Sequence, residues 1–201
     1  MTRLLISVAV TFTSMAMATN YYVDTNHPAA NDNNPGTPDL PFKTIQKGID
    51  VAYSGDTVFV MSGTYTPGTS GLRMQRSGTA GSPIVFMGLG MPLIQFPGTS
   101  SPQIGWEWSN GKHYLEVHGF EISGSRWALL IRSGDHNKIV GNKVHNTGSD
   151  AIAIWGGNCN LYSGNEVYDS GWNALHIESR ADIGYSANYN VVEYNYVHDN
   201  P

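Results

Sequence analysis

The chain has 201 residues, a formal net charge of −5 and 13% charged residues, against about 25% in a typical soluble domain. This charge gives no electrostatic attraction to nucleic acid or to an anionic membrane, so we expect neither as a partner. The length suffices for one domain with its own core. The 23 glycines and frequent asparagines favour short strands joined by tight turns. The single cysteine, Cys159, cannot form an internal disulfide.

The N-terminus has the features of a secretory signal peptide. Arg3 supplies a positive charge, residues 4–12 form a short apolar run, and residues 16–18 (Ala-Met-Ala) form a small-x-small cleavage site. The run is too short to span a bilayer, which disfavours a membrane anchor. We therefore expect residues 1–18 to be a signal peptide and the mature protein, residues 19–201, to be secreted or periplasmic.

Residues 41–53 carry the clearest helical pattern in the chain. Pro41 stands at the start and Gly55 just past the end. The apolar positions that fall on one helical face are Phe42, Ile45, Ile49 and Ala52. A lone amphipathic helix before a run of strands is suited to close the open end of a solenoid, so residues 19–55 are predicted to form an N-terminal cap.

Short strands are predicted on both sides of this helix. Residues 21–24 precede it, and Val58 and Val60 point inward in the first strand after it. Residues 66–81 are rich in Gly, Ser and Thr and are predicted to form a loop. Further strands are expected at residues 82–88, 92–96, 114–122 and 128–132.

Residues 137–199 contain nearly the same pattern three times. The first two copies superpose without gaps, so that Asn142 and Asn165 are 23 positions apart. In the third copy Asn195 lies 30 positions after Asn165, which indicates an insertion of seven residues. A fixed period of about 20 to 50 residues is typical of a solenoid. Each copy holds three short apolar segments separated by Gly, Asn or Asp, which predicts three strands per turn.

Stacking of these turns at about 4.8 Å places like residues above like. We expect Asn142, Asn165 and Asn195 to form an internal asparagine ladder at the turn after the second strand. Each amide would bond to its neighbours, so that a buried polar side chain is satisfied.

These features together resemble the right-handed parallel β-helix family of pectate, alginate and chondroitinase B-like polysaccharide lyases. The resemblance lies in the opening segment at residues 21–65, in residues 78–94 and in the asparagine repeat. It implies an all-β, right-handed parallel β-helix with three-strand turns of about 23 residues and an N-terminal capping helix. Family members usually have many more turns, so the resemblance also implies that residues 56–201 are the first turns of a longer stack and that the chain is an N-terminal fragment.

Strand alternation predicts which side chains of the repeat face outward. Ile152, Ile154, Leu175 and Ile177 are expected inside, with Ala153 outside. One outer strip then gathers Trp127, Arg132, Asp150, Trp155, Trp172, Asn173, His176, Glu178 and Arg180.

This strip is typical of a site for an acidic sugar polymer. Trp127, Trp155 and Trp172 offer flat apolar ring faces to pyranose rings. The guanidinium group of Arg132 is suited to pair with uronate carboxylates. Asn173 adds a polar side chain beside them, so these five residues are predicted to bind substrate.

Catalytic and metal-binding residues are predicted on the same strip. In a uronide lyase a base removes the C5 proton, and a cation stabilises the enolate that develops. His176 and Arg180 are the candidates for base or acid, and Arg180 is favoured over Arg132 because it opens the inserted loop. Asp150 and Glu178 are candidate ligands for Ca²⁺, which prefers oxygen atoms.

The sequence departs from the lyase pattern on this face. Lyases of the calcium-and-lysine pectate type carry several Asp residues and a Lys there, whereas Glu178 stands at the outward position five after Asn173. The Lys and Arg pair of the alginate and chondroitin relatives is not recovered whole either. The catalytic set therefore lies elsewhere in the protein, or it differs, or the chain only binds.

Several strip residues also have purely structural interpretations. Asp150 and Asn173 are common turn residues. Trp155 and Trp172 can simply cover apolar surface.

The histidines have structural interpretations as well. His176 with Glu178 can be an exposed strand pair that contributes little. His145, Tyr168 and His198 recur on a different strand, and we interpret them as a surface ladder rather than a metal site, because no third type of ligand converges there.

The sequence thus predicts an exported, monomeric protein that cleaves an acidic, uronate-containing polysaccharide by β-elimination. One alternative is a glycoside hydrolase on the same scaffold, with Asp150 and Glu178 as its carboxylate pair. The other is a non-catalytic solenoid that binds carbohydrate or covers a surface.

Overall fold

The structure is a computed structural model that describes residues 17–108, 111–179 and 184–201. Within these residues, the strands from residue 57 onward enter three different sheets in rotation, and each strand pairs in parallel with the strands of the neighbouring turns. The chain therefore coils into a parallel β-helix, as its 23-residue period predicts. Residues 1–16 of the predicted signal peptide lie outside the described part.

The bounds of the strands follow the three sheets. The first sheet contains β1 (Asn20–Val23), β2 (Thr57–Met61), β5 (Ile84–Leu89), β8 (Leu115–His118), β11 (Lys138–Val140), β14 (Leu161–Ser163) and β17 (Val191–Glu193). The second contains β3 (Thr64–Tyr65), β6 (Leu93–Gln95), β9 (Glu121–Ser123), β12 (Lys143–Thr147), β15 (Glu166–Ser170) and β18 (Tyr196–Val197). The third contains β4 (Leu72–Arg73), β7 (Ile104–Trp108), β10 (Trp127–Arg132), β13 (Ile152–Trp155) and β16 (Leu175–Glu178).

The register of the strands confirms the period read from the sequence. Ile152 of β13 pairs with Leu175 of β16, which lies 23 positions further along the chain. Leu161 of β14 pairs with Val191 of β17, 30 positions further. The inserted residues therefore lie between β16 and β17 and leave the stacking of the next turn intact.

The three sheets enclose a continuous apolar core. Val58 and Val60 are completely buried, as their alternation predicts. Trp106 makes edge-to-face contacts with Phe86 and Phe120, at ring-centroid distances of 5.6 and 5.4 Å. Such pairs contribute about 0.5–1.5 kcal/mol beyond their buried area. Since the strands are too short to be stable alone, these contacts between turns hold the fold together.

Helix α1 (Ile45–Val51) closes the N-terminal end of the stack. Thr44 is its N-cap and accepts a hydrogen bond from the Lys47 amide at 3.3 Å. The helix is shorter than the predicted residues 41–53, since Phe42 and Ala52 lie outside it. The four predicted apolar residues are nevertheless buried, with Phe42, Ile45, Ile49 and Ala52 each at most 3% exposed. None of the helices in the described part of the chain has the length and hydropathy of a membrane span.

The predicted asparagine ladder exists, but it lies at a different turn. Asn142 and Asn165 stand between the first and second strands of their turns, not after the second strand. The side-chain oxygen of Asn165 accepts from the Asn142 amide at 3.0 Å, and that of Asn195 accepts from the Asn165 amide at 2.9 Å. The position is wrong by one strand because the sequence pattern does not number the three strands.

A second ladder was missed. It lies where the chain passes from the third sheet to the first, and it consists of Asn137, Asn160 and Asn190. The Asn137 amide donates to the side-chain oxygen of Asn160 at 2.9 Å, and the Asn160 amide donates to that of Asn190 at 2.9 Å. Two asparagine columns thus satisfy the buried backbone on both flanks of the first sheet.

The glycines at the turn between the second and third sheets are explained by close packing of successive turns. A side chain at Gly171 would collide with the backbone oxygen of Gly148 in the preceding turn, and one at Gly148 would collide with Thr99. Glycine recurs at this position because no Cβ atom fits there.

Two strands were not predicted. β4 lies within residues 66–81, whose Gly, Ser and Thr content indicates a loop, and β7 lies between the predicted segments. β4 has only two residues, and its parallel pairing with β7 rather than its own sequence makes it a strand. The third sheet therefore begins earlier than expected.

Ile177 differs from its predicted position in the core. It is 39% exposed, whereas its equivalent Ile154 in the preceding turn is 1% exposed. The difference arises because no further turn covers β16 among the described residues.

Candidate active site

The predicted strip lies on the outer face of the third sheet, where β10, β13 and β16 run side by side. Ile152 and Ile154 point to the core and are each 1% exposed, which confirms the alternation. The two outward columns in register are Leu130, Ala153 and His176, and Arg132, Trp155 and Glu178.

Asp150 is a buried carboxylate at the edge of this face, with its side chain 3% exposed. Its Oδ1 atom accepts from the Asn173 side-chain amide at 2.7 Å and from the Asn173 backbone amide at 3.3 Å. Its Oδ2 atom accepts from Trp127 Nε1 at 3.3 Å and lies 3.0 Å from His176 Nδ1. A charged carboxylate is stable in such a place only when donors surround it, and here three side chains provide them.

His176 is held at one ring nitrogen, and the other has no hydrogen-bond partner within the described part of the chain. Since Asp150 accepts from Nδ1, the neutral imidazole carries its hydrogen there, and the Nε2 lone pair points away from Asp150. Among the described residues, Oε2 of Glu178 is the nearest carboxylate oxygen to Nε2, at 3.9 Å, which exceeds hydrogen-bond length. The His176 side chain is 32% exposed. A ring fixed in this way can take up a proton at Nε2.

Trp127 and Trp155 cover an apolar patch on the outer side of the sheet. Their rings meet edge to face at 5.4 Å and pack on Leu130 and Ala153, which are completely buried. The prediction that Ala153 lies outside is therefore right about its direction but wrong about its exposure. Trp155 therefore covers apolar surface, and its role in binding substrate stays a prediction.

The ring faces of both tryptophans also carry arginines. The guanidinium group of Arg126 lies 4.4 Å from the centroid of Trp127, and that of Arg132 lies 5.1 Å from Trp155. A sugar ring could stack on these faces only after the arginines moved. In this arrangement the tryptophans position guanidinium groups along the outer face.

An ion cluster next to this patch was missed from the sequence. Glu107 of β7 lies 3.1 Å from Arg73 and 3.8 Å from Arg132, with its side chain 12% exposed. Its signal in the sequence is weak, because β4 and β7 were not recognised as strands of this sheet. The cluster places Arg132 within ion-pair distance of Glu107, and it extends the polar part of the outer face toward the N-terminal cap.

The remaining predicted residues have different surroundings. Asn173 donates two hydrogen bonds to Asp150, so it is both a turn residue and part of the site. Trp172 is 70% exposed and extends into solvent. Arg180, our favoured candidate base or acid, lies outside the described residues.

Asp150 and Glu178 do not make a calcium site by themselves. Calcium usually takes about six to eight oxygen ligands, and both oxygens of Asp150 already accept hydrogen bonds from protein groups. Within residues 17–108, 111–179 and 184–201, no group of three or more His, Cys, Asp or Glu side chains is placed to hold a metal ion. The two carboxylates alone do not complete a calcium shell, so the assignment of Asp150 and Glu178 to Ca²⁺ stays a prediction.

The second sheet carries the predicted surface ladder. His145 stacks on Tyr168 at 4.7 Å with an angle of 3° between the rings, and Tyr168 stacks on His198 at 4.9 Å. The hydrogen bond from His198 to Asp199 raises the pKa of His198, partial burial acts the other way, and Glu166 adds a second raising contact. Each described histidine of this ladder has both ring nitrogens close to polar side chains.

Comparison with known proteins identifies the family. A family model described as the Pel9A-like right-handed β-helix region matches residues 21–200, so the chain belongs to this family. The match also confirms the right-handed sense expected for the coil. Over 69 residues the chain is 41% identical to pectate lyase PEL9 of Emericella nidulans, an alignment that spans 34% of this chain and 16% of that protein.

Solved structures agree on the fold. A rhamnogalacturonan lyase superposes with a TM-score of 0.72 at 21% identity, over 90% of this chain and 51% of that one. An alginate lyase from a Paenibacillus species gives a TM-score of 0.71 at 15% identity, over 90% and 58%. Pectate lyase Pel9A gives 0.58 at 18% identity, over 92% and 47%. The chain thus spans about half the length of these structures.

Proposed function

We propose that the chain belongs to an exported polysaccharide lyase that cleaves an acidic, uronate-containing polysaccharide by β-elimination on the outer face of the third sheet. One observation carries the proposal: in a chain of the Pel9A-like family, buried Asp150 holds Nδ1 of His176 at 3.0 Å and leaves Nε2 directed away. The Pel9A-like scaffold makes a polysaccharide the natural ligand class.

His176 would act as the base. Its Nε2 atom takes the proton from C5 of the uronate, the bond from C4 to the glycosidic oxygen breaks, and a double bond forms between C4 and C5. The leaving oxygen receives a proton from Arg180, our candidate acid, and Arg180 regains a proton from water when the product leaves. Asp150 keeps the hydrogen on Nδ1 and stabilises the imidazolium that forms.

Arginines would stabilise the negative charge that develops beside the uronate carboxylate. Arg132 lies on the same face and is steadied by Trp155 and Glu107. A planar guanidinium group can bind a carboxylate through two hydrogen bonds. Trp172, which is 70% exposed, offers an open ring face to a sugar, in contrast to Trp127 and Trp155.

Calcium is tested separately from this mechanism. Asp150 and Glu178 are our sequence-based candidates for Ca²⁺, but no step above passes through a metal ion. The assay for unsaturated product is run with and without a chelator. Loss of activity with the chelator would indicate that a metal ion takes part and that it has ligands in addition to Asp150 and Glu178.

The direct test is formation of an unsaturated product. The chain is incubated with pectate, alginate and rhamnogalacturonan, and the ultraviolet absorbance of the new double bond is followed. We expect absorbance with at least one of these polymers. Reducing ends without absorbance would replace elimination by hydrolysis, and binding without either signal would favour a non-catalytic module.

Hydrolysis by Asp150 and Glu178 is the less well supported alternative. A carboxylate pair must reach the glycosidic bond from both sides, whereas Asp150 is 3% exposed and is occupied by hydrogen bonds. We therefore rank it below elimination.

Arg180 provides a second test of the site. We expect Arg180→Ala to abolish turnover while the melting temperature stays nearly unchanged, because Arg180 stands in the inserted loop rather than in the repeat. A variant with normal turnover, or one with strongly reduced stability, would remove Arg180 from the catalytic set.

Export is proposed on the N-terminal sequence alone. Arg3, the apolar residues 4–12 and residues 16–18 form the expected signal. Expression with its own N-terminus, followed by N-terminal sequencing of the secreted chain, is expected to give Thr19 as the first residue. We expect the mature chain to be a monomer, which gel filtration with light scattering would test.

A further inference from the structure

A concave site lies on the outer face of the first sheet, away from the candidate active site. It has a volume of about 390 Å³, within the range of about 300–1,000 Å³ that is usual for small-molecule sites. Its floor consists of Glu116, Lys138 and Leu161, which lie side by side in register on β8, β11 and β14. Three successive turns of the coil therefore build one surface.

An interrupted aromatic stack forms one wall. Tyr114 and His136 stack at 4.8 Å with an angle of 17° between the rings. Cys159 occupies the equivalent position in the next turn, as the parallel hydrogen bonds from the His136 and Cys159 amides to Asn158 and Asn188 show. A cysteine is too small to stack on the imidazole, so the side of His136 that faces Cys159 has no ring from that turn on it.

A tight turn next to Tyr114 forms a second wall. Thr79 and Ser82 are joined by two backbone hydrogen bonds of 3.1 and 2.9 Å. The hydroxyl of Thr79 is fixed by a contact of 2.9 Å with the hydroxyl of Ser54. Pro83 continues this wall toward the sheet. Both walls are therefore held in place without a ligand.

The floor combines charges with an apolar residue. Lys138 Nζ lies 2.8 Å from Glu116 Oε1, and His118 Nε2 lies 3.0 Å from Glu116 Oε2. Burial acts to raise the pKa of Glu116, but the hydrogen bonds with Lys138 and His118 outweigh it and lower that pKa, so the carboxylate is ionised. The Lys138 side chain is 47% exposed and an ammonium group has three donors. It can therefore bind a further acceptor.

We propose that this site binds a sugar residue of a polysaccharide without cleaving it. A pyranose ring has an apolar face suited to His136 and Leu161, and a hydroxyl or carboxylate edge suited to Lys138 and Thr79. The site lies on a different sheet from His176. It would hold one segment of the polymer while another segment occupies the candidate active site on the third sheet. The inference does not depend on which reaction the third sheet performs.

Cys159 provides a built-in reporter, because it is the single cysteine of the chain, it is exposed, and it lines the site. The rate of its alkylation by iodoacetamide is measured with increasing trigalacturonate or cellotriose, with glycerol as a control for viscosity. The measurement uses His176→Gln, so that the probe is not consumed. At a sugar concentration roughly ten times the dissociation constant, alkylation should slow about tenfold, since about a tenth of the sites remain empty.

A matched pair of lysine variants separates this site from others. Lys138→Met removes the ammonium group from the floor and should weaken the protection of Cys159 at least about tenfold, in line with losing a charged hydrogen bond. Lys143→Met removes a lysine that pairs with Glu166 on the second sheet and should leave protection unchanged. Protection by either sugar supports the proposal. Protection by neither sugar, or equal weakening by both variants, overturns it.

Discussion

The second and third sheets both carry histidines on their outer faces, but the two faces are organised differently. On the second sheet, His145, Tyr168 and His198 repeat an aromatic ring in three successive turns and stack on each other. On the third sheet, Leu130, Ala153 and His176 occupy one column, so the residue type changes at each turn. A column of aromatic rings stabilises the coil through contacts between the rings. A column whose residue type changes gives each side chain different neighbours, and His176 lies in such a column.

The largest effect is expected from the carboxylate that holds His176. Asp150→Asn keeps the shape of the side chain but removes the charge that orients the imidazole. We expect kcat to fall about 10²- to 10⁴-fold, because the base His176 loses the carboxylate that orients it. Asp135→Asn is the matched control, because Asp135 also accepts from the asparagine 23 residues later, Asn158, but does not hold His176. Equal losses in both variants would show that Asp150 is only structural.

A large loss of stability, without a change in mechanism, is expected at the asparagine ladder. Asn165→Ala removes hydrogen bonds to Asn142, Ile139 and Asn195 in the buried turn. Each buried group left unpaired costs about 1–3 kcal/mol, so we expect a loss of roughly 2 to 5 kcal/mol in the free energy of unfolding. Urea denaturation measures it, with the exposed Asn33→Ala as control. A loss below about 1 kcal/mol would mean that water replaces the ladder.

A smaller effect is expected from the aromatic ladder. Tyr168→Leu removes the stacking contacts with His145 and His198 and should cost about 1 to 3 kcal/mol of unfolding free energy, from two aromatic pairs. Turnover per folded molecule should stay the same. If turnover fell instead while the urea midpoint held, the second sheet would belong to the functional surface and the contrast between the two faces would fail.

The smallest effect concerns the charge of His198. Because contacts with Asp199 and Glu166 raise its folded-state pKa above the ordinary 6.5, the protonated form favours the folded state. This contribution is complete below about pH 6.5, the unfolded value, and is lost as the pH rises through the folded-state pKa. An NMR titration of the ring protons should give a pKa above 6.5, and Asp199→Asn should lower it. A pKa at or below 6.5 would contradict the contacts.

The repeat made most of the fold predictable. Equal spacing of 23 residues fixes which strands pair, so the register from Ile152 to Leu175 and the column of Asn142, Asn165 and Asn195 follow from the sequence. The capping helix was predictable from Ile45 and Ile49, but it spans Ile45–Val51 rather than residues 41–53, so Phe42 and Ala52 lie outside it. These features depend on local pattern and on period alone.

The environment of the site was much less predictable. Sequence alternation places Asp150, Asn173 and His176 on one face, but it cannot show that Asp150 is buried by contacts from three other side chains. It also cannot show that arginines lie on the rings of Trp127 and Trp155, since Arg126 does not share the alternation of the strand. These features depend on side-chain packing across turns, which a period does not encode.

The most direct test of the proposed function is the rate of unsaturated product formation in His176→Gln and His198→Gln, compared with the unchanged chain. Both histidines are partly exposed and lie close to carboxylates. In His198 each ring nitrogen lies within 3.3 Å of a carboxylate oxygen, whereas Nε2 of His176 lies 3.9 Å from Glu178. We expect His176→Gln to lose about 10²- to 10⁴-fold in kcat, as for loss of a general base, and His198→Gln to keep the original rate. Elimination at an undiminished rate in His176→Gln would contradict the proposal that His176 is the base.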